Sequence, residues 1–405
     1  IEKVQLKNPE LVFEKYPFEL SGGQQQRVMI AIAIACKPKL LIADEPTTSL
    51  DSLVRNDIIS LIKSLQNEYS MSVLFISHDL KLVSKFADTL IVLKKGVIIE
   101  KGISSKIFNS PKKKYTQHLI NSSPPKSKRP NRLITAKTKK NKLISKAERA
   151  IHHSKIYSKI PILKVNKLTV FYDTNIILKD ISFNLYKGET LGIVGESGSG
   201  KSTIAKSILG LIEIHNGEIL FKNKDTSQIA NSVFRKKVQL IFQDPYSSLN
   251  PEISVGSSIM EPMIAHKIFS SKFETKCRVL ELLNQVGLSK NDFKKFPDQF
   301  SGGQRQRIVI ARALALNPEV IICDESVSAL DVSVQAQILN LLSDLKEKYL
   351  FTFLFISHDM SVIKYFTDRL IVLKKGEIIE LNETDFLFEH PKKSYTKSLL
   401  RASDF

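Results

Sequence analysis

The run Gly195-Glu196-Ser197-Gly198-Ser199-Gly200-Lys201-Ser202-Thr203 fits the pattern GxxxxGK[ST], whose parts suit the gripping of a phosphate chain. Its glycines let the backbone turn so that successive N–H groups face a β-phosphate at the positive end of the following helix. In that arrangement Lys201 neutralises charge on the β- and γ-phosphates, and the Ser202 hydroxyl holds Mg2+. A second pair of chemically able residues, Asp324 and Glu325, closes the apolar run 320–323. Carboxylates at the C-terminal end of a buried strand lie where α/β sheets position their ligands. Asp324 can hold Mg2+ through water, and Glu325 can orient or deprotonate an attacking water. Alone, an apolar strand ending in Asp-Glu is only a strand end; with the phosphate loop, the pair reads as ATP hydrolysis.

These residues need a scaffold. Branched and aromatic residues predict strands over 162–170, 181–185, 189–194, 238–241, 320–323, 351–356 and 370–373. Apolar periodicity predicts helices over 202–211, 273–286, 303–316, 332–347 and 360–366. Continuously apolar strands alternating with helices imply an α/β fold with a parallel sheet covered on both faces.

The chain also repeats itself at an offset of 280 residues. Ser21-Gly22-Gly23-Gln24 recurs as Ser301-Gly302-Gly303-Gln304, Asp44-Glu45 as Asp324-Glu325, His78-Asp79 as His358-Asp359, and Tyr115-Thr116 as Tyr395-Thr396. A period this long means duplicated domains. Residue 1 corresponds to 281 and the second copy starts near 161, so the expected organisation is a partial first copy over 1–120, a linker over 121–160 and a complete copy over 161–405. The first copy lacks about 120 opening residues by this arithmetic, and the Ile at position 1 suggests a sequence that begins mid-stream. Half a sheet without its phosphate-loop strand should expose apolar edge and face.

The composition sets limits. At 405 residues with 42% hydrophobic and 25% charged residues, the chain is globular and large enough for two cores. Its longest apolar runs, such as 349–356, are too short to span a bilayer. Three cysteines without a CxxC pair build neither a disulfide framework nor a zinc site, which fits a reducing compartment. The opening ten residues carry no secretion leader. The net charge is +19, and the stretch 121–160 alone holds twelve Lys/Arg against one Glu. With SSPPKSKRPN at its start and few periodic apolar residues, that stretch reads as a solvated linker, with a short helix over 143–156. A lipid- or RNA-binding role for it is the weaker alternative.

At Phe300-Ser301-Gly302-Gly303-Gln304-Arg305-Gln306-Arg307 the chain resembles an ATP-binding-cassette nucleotide-binding domain. The match covers nearly all of 161–405, with phosphate loop, signature, Asp-Glu strand end and His358 in the family's order. The resemblance implies a P-loop NTPase fold, a RecA-like parallel-sheet core plus a helical signature subdomain, with ATP and Mg2+ as ligands. It implies that Tyr172 stacks on adenine, that Gln243 is the lid-loop glutamine sensing Mg2+ and the membrane partner, and that His358 is the switch histidine at the γ-phosphate. It also implies that Ser328-Ala329-Leu330-Asp331 crosses to a partner cassette. Small residues before a helix present free N–H groups to an anion, and the resemblance implies that the anion is the γ-phosphate of ATP held by the other cassette.

Phe242-Gln243-Asp244-Pro245-Tyr246 and the closing Pro391-Lys392-Lys393-Ser394-Tyr395-Thr396 resemble the branch importing dipeptides, oligopeptides and nickel, and a fused pair resembles peptide importers that include microcin-type ones. That resemblance implies two transmembrane permease subunits, a periplasmic substrate-binding protein and a peripheral place at the cytoplasmic face of a bacterial inner membrane. The first copy keeps Ser21, Gly22, Gly23 and Gln24, Asp44, Glu45, Ser49-Leu50-Asp51 and His78. One composite ATP site is then incomplete, and the other has all its parts. Two alternatives stand beside transport: a cassette that binds ATP without driving transport, and a tandem cassette acting on ribosomes or nucleic acid. The absent zinc-type cysteine sets and the Pro-rich linker start speak against the latter.

Overall fold

In the computed structural model the described residues are 2–6, 8–47, 50–125, 129–135, 142–328 and 330–403. They form two compact units, Ile1–Ser123 and Pro124–Ser403. No helix among the described residues is long and apolar enough to cross a membrane.

The first unit carries β1 (Leu40–Asp44), β2 (Ser72–Ile76), β3 (Thr89–Lys94) and β4 (Val97–Ile103). β1 pairs with β2 in parallel, and β3 with β4 antiparallel, as two separate ladders. Helices Gly22–Ile34 and Ser52–Tyr69 supply its core, in which Ile58, Leu61, Ile62 and Leu65 are buried together with Val4, Ile30 and Leu41. The strands themselves alternate: β1 buries Leu41 and Ala43 but leaves Leu40 and Ile42 exposed.

The second unit holds β5 (Pro161–Tyr172), β6 (Asn175–Tyr186), β7 (Thr190–Val194), β8 (Asn216–Phe221), β9 (Lys224–Asp225), β10 (Val238–Ile241), β11 (Val320–Asp324), β12 (Thr352–Ile356), β13 (Arg369–Lys374) and β14 (Glu377–Glu383). Its main sheet runs β10-β11-β12-β7-β13-β14, parallel except for β14. Every residue of β7, β11 and β12 is buried, which is why these strands are apolar throughout rather than alternating. β5, β6, β8 and β9 form a separate antiparallel sheet. Strand periodicity carries no direction, so the expectation of a wholly parallel sheet is corrected here: 161–186 folds as a long hairpin.

The reading of 121–160 as a solvated linker is also corrected, for its described part. Residues 129–135 and 142–157 pack onto the cassette of their own unit as a docked arm. Leu133 is buried, and its N–H and C=O pair with Oδ1 and Nδ2 of Asn340 at 2.8 and 2.9 Å. Arg132 bonds Asp344 and Glu347, each at 2.7 Å, and Lys146 pairs with Glu389 at 2.7 Å. Arg129 and Arg149 share Asp385 and also donate to the Thr367 carbonyl. The helix Lys146–Tyr157 starts later than expected because Ser145 and Glu148 form a reciprocal cap while Leu143 bridges to Pro130. Its buried His153 lies 3.1 Å from Glu383 and 3.6 Å from Asp368. A run of positive charge thus resembles a solvated tether in sequence but meets a matched set of carboxylates. At the offset of 280, the first unit has Ser64, Asn67, Ser105 and Asn109 where the second has Asp344, Glu347, Asp385 and Glu389.

Because the Asn340 amide satisfies two backbone groups of a buried segment, Asn340→Ala should lower the unfolding free energy of the second unit by about 2–4 kcal/mol. Lys142→Ala, at an exposed pair with Glu148, should leave that stability almost unchanged. Chemical denaturation of both variants checks the contrast.

Candidate functional site

The phosphate loop bridges buried β7 and the helix Lys201–Ile208. Its glycines are required by space as well as by φ. A Cβ on Gly200, at φ 102, would stand 2.6 Å from Leu178, and one on Gly195 would stand 2.3 Å from the Leu373 carbonyl oxygen. Lys201 is 6% exposed, and its Nζ donates to the carbonyls of Gly195 and Glu196 at 2.9 Å each. The ammonium is therefore held over the loop, 3.9 Å from Glu325.

The Asp324-Glu325 pair closes β11, two strands from β7. Glu325 takes a left-handed backbone, φ 46, and its N–H donates to the Ile356 carbonyl at 3.0 Å. Its Oε2 receives Gln243 Nε2 and meets His358 Nδ1, each at 3.1 Å. Burial would raise the Glu325 carboxyl, but the hydrogen bond and charge of His358, with Lys201, hold it below the ordinary range. Asp324 moves the other way: burial and the neighbouring Glu325 charge raise it, and the Ser202 hydroxyl and Lys201 pull it back only in part. Its Oδ1 is buried without a hydrogen-bond partner. That orphaned oxygen, beside a serine hydroxyl, is a fitting donor set for a hard, oxygen-seeking cation such as Mg2+.

The loop containing Gln243 is tied to the signature helix Gly302–Leu314. The Arg305 guanidinium lies 4.0 Å from the Tyr246 ring centroid, and Arg312 donates to the Ser248 carbonyl at 2.8 Å. At that helix start, Ser301 N–H donates to Gln304 Oε1 at 3.0 Å. Gly303 presses on the helix Val332–Tyr349 so closely that a Cβ would meet Val334 at 2.2 Å. Asp331 caps that second helix by accepting from Val334 N–H at 3.0 Å. Thus Gly195–Thr203, Asp324, Glu325, Gln243 and His358 come together. Among the described contacts, none joins Ser301–Gln304 to the phosphate loop. Tyr172 is half exposed at the tip of the β5–β6 hairpin, where it pairs with Asn175, and Ile177 and Leu178 of the same hairpin abut Gly376 and Gly200. Of the expected crossing loop, Ala329 lies outside the described residues, as does Ser49 in the first unit.

The first unit reproduces several of these arrangements. Glu45 has φ 47, its N–H donates to the Ile76 carbonyl at 3.0 Å, and His78 Nδ1 lies 2.8 Å from its Oε1. Asp44 ends β1 beside it. Ser21 caps the helix Gly22–Ile34 reciprocally with Gln24, and Gly23 faces Val54 at 2.6 Å from an added Cβ.

One supporting residue is not read from the sequence as part of the site. Tyr395 accepts the Glu196 N–H at 3.1 Å through its hydroxyl, is 7% exposed, and has Lys374 Nζ 4.6 Å above its ring. The only signal was the recurrence of Tyr115-Thr116 as Tyr395-Thr396, which marked the tail without saying what it touches. The hairpin turn adds a second brace, Gly376 N–H to the Ser199 carbonyl at 3.0 Å. Tyr395→Phe keeps the ring and removes the acceptor, so amide exchange at Glu196 should accelerate about tenfold, the equivalent of roughly 1.4 kcal/mol. Hydrogen-exchange mass spectrometry over 195–200 reads it, and unchanged exchange would dismiss the brace.

Comparison with known proteins agrees with this geometry. The family model described as ABC transporter matches 1–48 and 178–328, and one described as oligopeptide/dipeptide transporter, C-terminal region, matches 99–149. The chain is 41% identical over 421 residues to the glutathione import ATP-binding protein GsiA of Pectobacterium atrosepticum, covering 99% of this chain and 67% of that protein. The protein of the same name in Salmonella typhimurium is 42% identical over 421 residues, with the same coverage. Among solved structures, cbiO1 from Clostridium perfringens, part of the ABC transporter complex cbiONQ, superposes with TM-score 0.53 at 28% identity, over 60% of this chain and 94% of that one. The ATP-binding cassette MJ0796, as a post-hydrolysis dimer bound to ADP and Pi, gives TM-score 0.50 at 32% identity, over 55% and 98%. With its phosphate loop, paired carboxylates and signature helix on this fold, the chain belongs to the ABC transporter family, among the ATP-binding proteins of the oligopeptide/dipeptide transport type.

Proposed function

We propose that the chain is an ATP-hydrolysing subunit of a peptide importer, working at the cytoplasmic face of a bacterial inner membrane. Two transmembrane permease subunits and a periplasmic substrate-binding protein are its partners in this reading. The relatives named above are glutathione import proteins, and a small peptide is accordingly the cargo class assigned here. The observation that carries the enzymatic part is Glu325: a carboxylate kept ionised by His358 and Lys201 at the end of the strand two places from the phosphate loop.

In this mechanism the N–H groups of the loop and Lys201 bind the β- and γ-phosphates. Ser202, Asp324 and Gln243 are the residues that would hold Mg2+, which supplies charge neutralisation along the triphosphate. Glu325 orients a water and takes its proton, and His358 fixes the Glu325 carboxylate while reaching for the γ-phosphate. Tyr172 stacks on the adenine. The signature of an opposing cassette, of the type Ser21–Gln24 or Ser301–Gln304, completes the γ-phosphate site, so that nucleotide binding becomes the closing of a two-state pair that the permeases read. Residues 1–123 are then part of a first cassette, and 124–403 a whole second one. The repeat at 280 residues and the matched Glu45–His78 and Glu325–His358 geometries support that reading.

Glu325→Gln should keep ATP affinity while turnover falls by at least a hundredfold, and Lys201→Ala should weaken nucleotide binding itself. Equilibrium binding and phosphate release separate the two; unchanged turnover in Glu325→Gln would refute its role. The pH dependence has a definite sign. A base whose carboxyl is depressed stays ionised into acid, and removing His358 removes the largest influence that lowers it. His358→Ala should therefore shift the acid limb of the residual turnover to higher pH, as a pH–rate profile would show.

A further inference from the structure

A cleft of about 350 Å3 opens in the second unit between the end of the helix Lys201–Ile208, strand β8 and the segment 225–234. Its size falls within the roughly 300–1,000 Å3 of clefts that hold small molecules. None of Tyr172, Gly195–Thr203, Gln243, Asp324, Glu325 or His358 lines it, so it is separate from the nucleotide site. The two share one helix: Ser207 in the cleft wall lies about 9 Å along the axis from Lys201.

The cleft is apolar where it is deep, since Ile208, Leu209, Ile219 and Phe234 line it and all four are buried. Where it meets solvent it is anionic. Exposed Glu218 and half-buried Asp225 line it, and among the described residues no lysine, arginine or histidine does. Each carboxylate is fixed by a neutral donor: Asn166 Nδ2 donates to Glu218 Oε1 and the Ser227 N–H to Asp225 Oδ1, both at 2.9 Å. Gly217, at φ 91, holds the turn that presents Glu218; a Cβ there would stand 2.4 Å from the Asn166 carbonyl oxygen. The wall also contains Ser207, which is 1% exposed and whose Oγ is buried without a hydrogen-bond partner. Buried hydroxyls are ordinarily paired, so an unpaired one in a cleft wall marks a place for a polar atom of a ligand.

We infer that this cleft is a binding site for a small organic amine: an ammonium head on an apolar body, with a second polar atom for the Ser207 hydroxyl. Glu218, Asp225 and the negative end of the helix Lys201–Ile208 all favour a positive head. The buried aliphatic and aromatic side chains take the body out of water. The same charges disfavour any ligand with a carboxylate or phosphate, so neither a nucleotide nor a peptide with a free C-terminus suits the cleft.

The chain contains no tryptophan, so the fluorescence anisotropy of added tryptamine reports its binding to the intact chain without indole background. Saturable one-to-one binding is expected at low ionic strength, where charge is least screened. Indole propionate, the same ring with a carboxylate head, should show none over the same range. The double variant Glu218→Gln with Asp225→Asn keeps both side-chain shapes and should weaken tryptamine binding at least about tenfold. Ser207→Ala should weaken it about fivefold, whereas Glu281→Gln, at an exposed carboxylate elsewhere in the unit, should leave it unchanged. No saturable binding, equal binding of the indole carboxylate, or binding indifferent to the double variant or to Ser207→Ala would overturn the site. Tryptamine stacked on Tyr172 or another exposed ring gives that last result. Neither ATP nor turnover enters the measurement, so its outcome is independent of the function proposed above.

Discussion

A strand at the centre of a parallel sheet must be hydrogen-bonded along both edges and covered on both faces, and this molecule depends on how β7 meets that demand. Its partners β12 and β13 fix where the phosphate loop emerges. Gly192 lets the strand approach Thr367, where a Cβ would stand 2.8 Å away. At its base the Thr190 N–H donates to Asp368 at 2.8 Å, and Lys346 binds both Thr190 and Asp368. At its top Gly376 and Tyr395 brace the loop from outside. Because the strand is held at both ends, the Lys201 ammonium and the loop N–H groups are set in place in advance, which is what the proposed phosphate grip needs for electrostatic stabilisation at low reorganisation cost.

Two adjacent carboxylates at the end of β11 are pushed in opposite directions by their neighbours. Asp324 is buried with an unanswered oxygen and is raised; Glu325, one residue on, meets a histidine, an amide and an ammonium and is lowered. A split of this kind suits the two proposed roles, a cation ligand beside a proton acceptor, because environment alone can separate two carboxylates. The left-handed backbone at Glu325, with φ 46, turns the chain between the two. Glu45 has the same turn at φ 47, so the geometry belongs to the local sequence and its strand partner.

Much of this was legible from residues alone, and for a physical reason. A phosphate loop needs glycine where a Cβ would strike the backbone, lysine where charge must be met and a hydroxyl next to it, so residue type and spacing are strongly constrained. Buried parallel strands read as unbroken apolar runs for the same reason. The rest depends on tertiary placement that no local pattern records. The direction of β5 and β6 is invisible to periodicity. Tyr395 reaches Glu196 across 199 residues. The arm was hardest to read, because its docking rests on a few anchors, Arg129, Arg132 and Leu133 in irregular chain and Arg149 on a short helix. Such a stretch has the composition of a solvated run, and only the carboxylates that await it on the cassette distinguish the two. Pairing of that many cations with carboxylates of the same unit also counts against the arm as a surface for nucleic acid.

The docked arm changes where the second unit can be cut. An excision at the first strand, Pro161, would follow the sequence repeat but strip away the guanidinium groups that neutralise Asp385, Asp344 and Glu347, and would take His153 from beside Asp368. The compact unit begins upstream, at Pro124, and a recombinant fragment trimmed to the repeat boundary would carry an unbalanced anionic scar where the arm had lain.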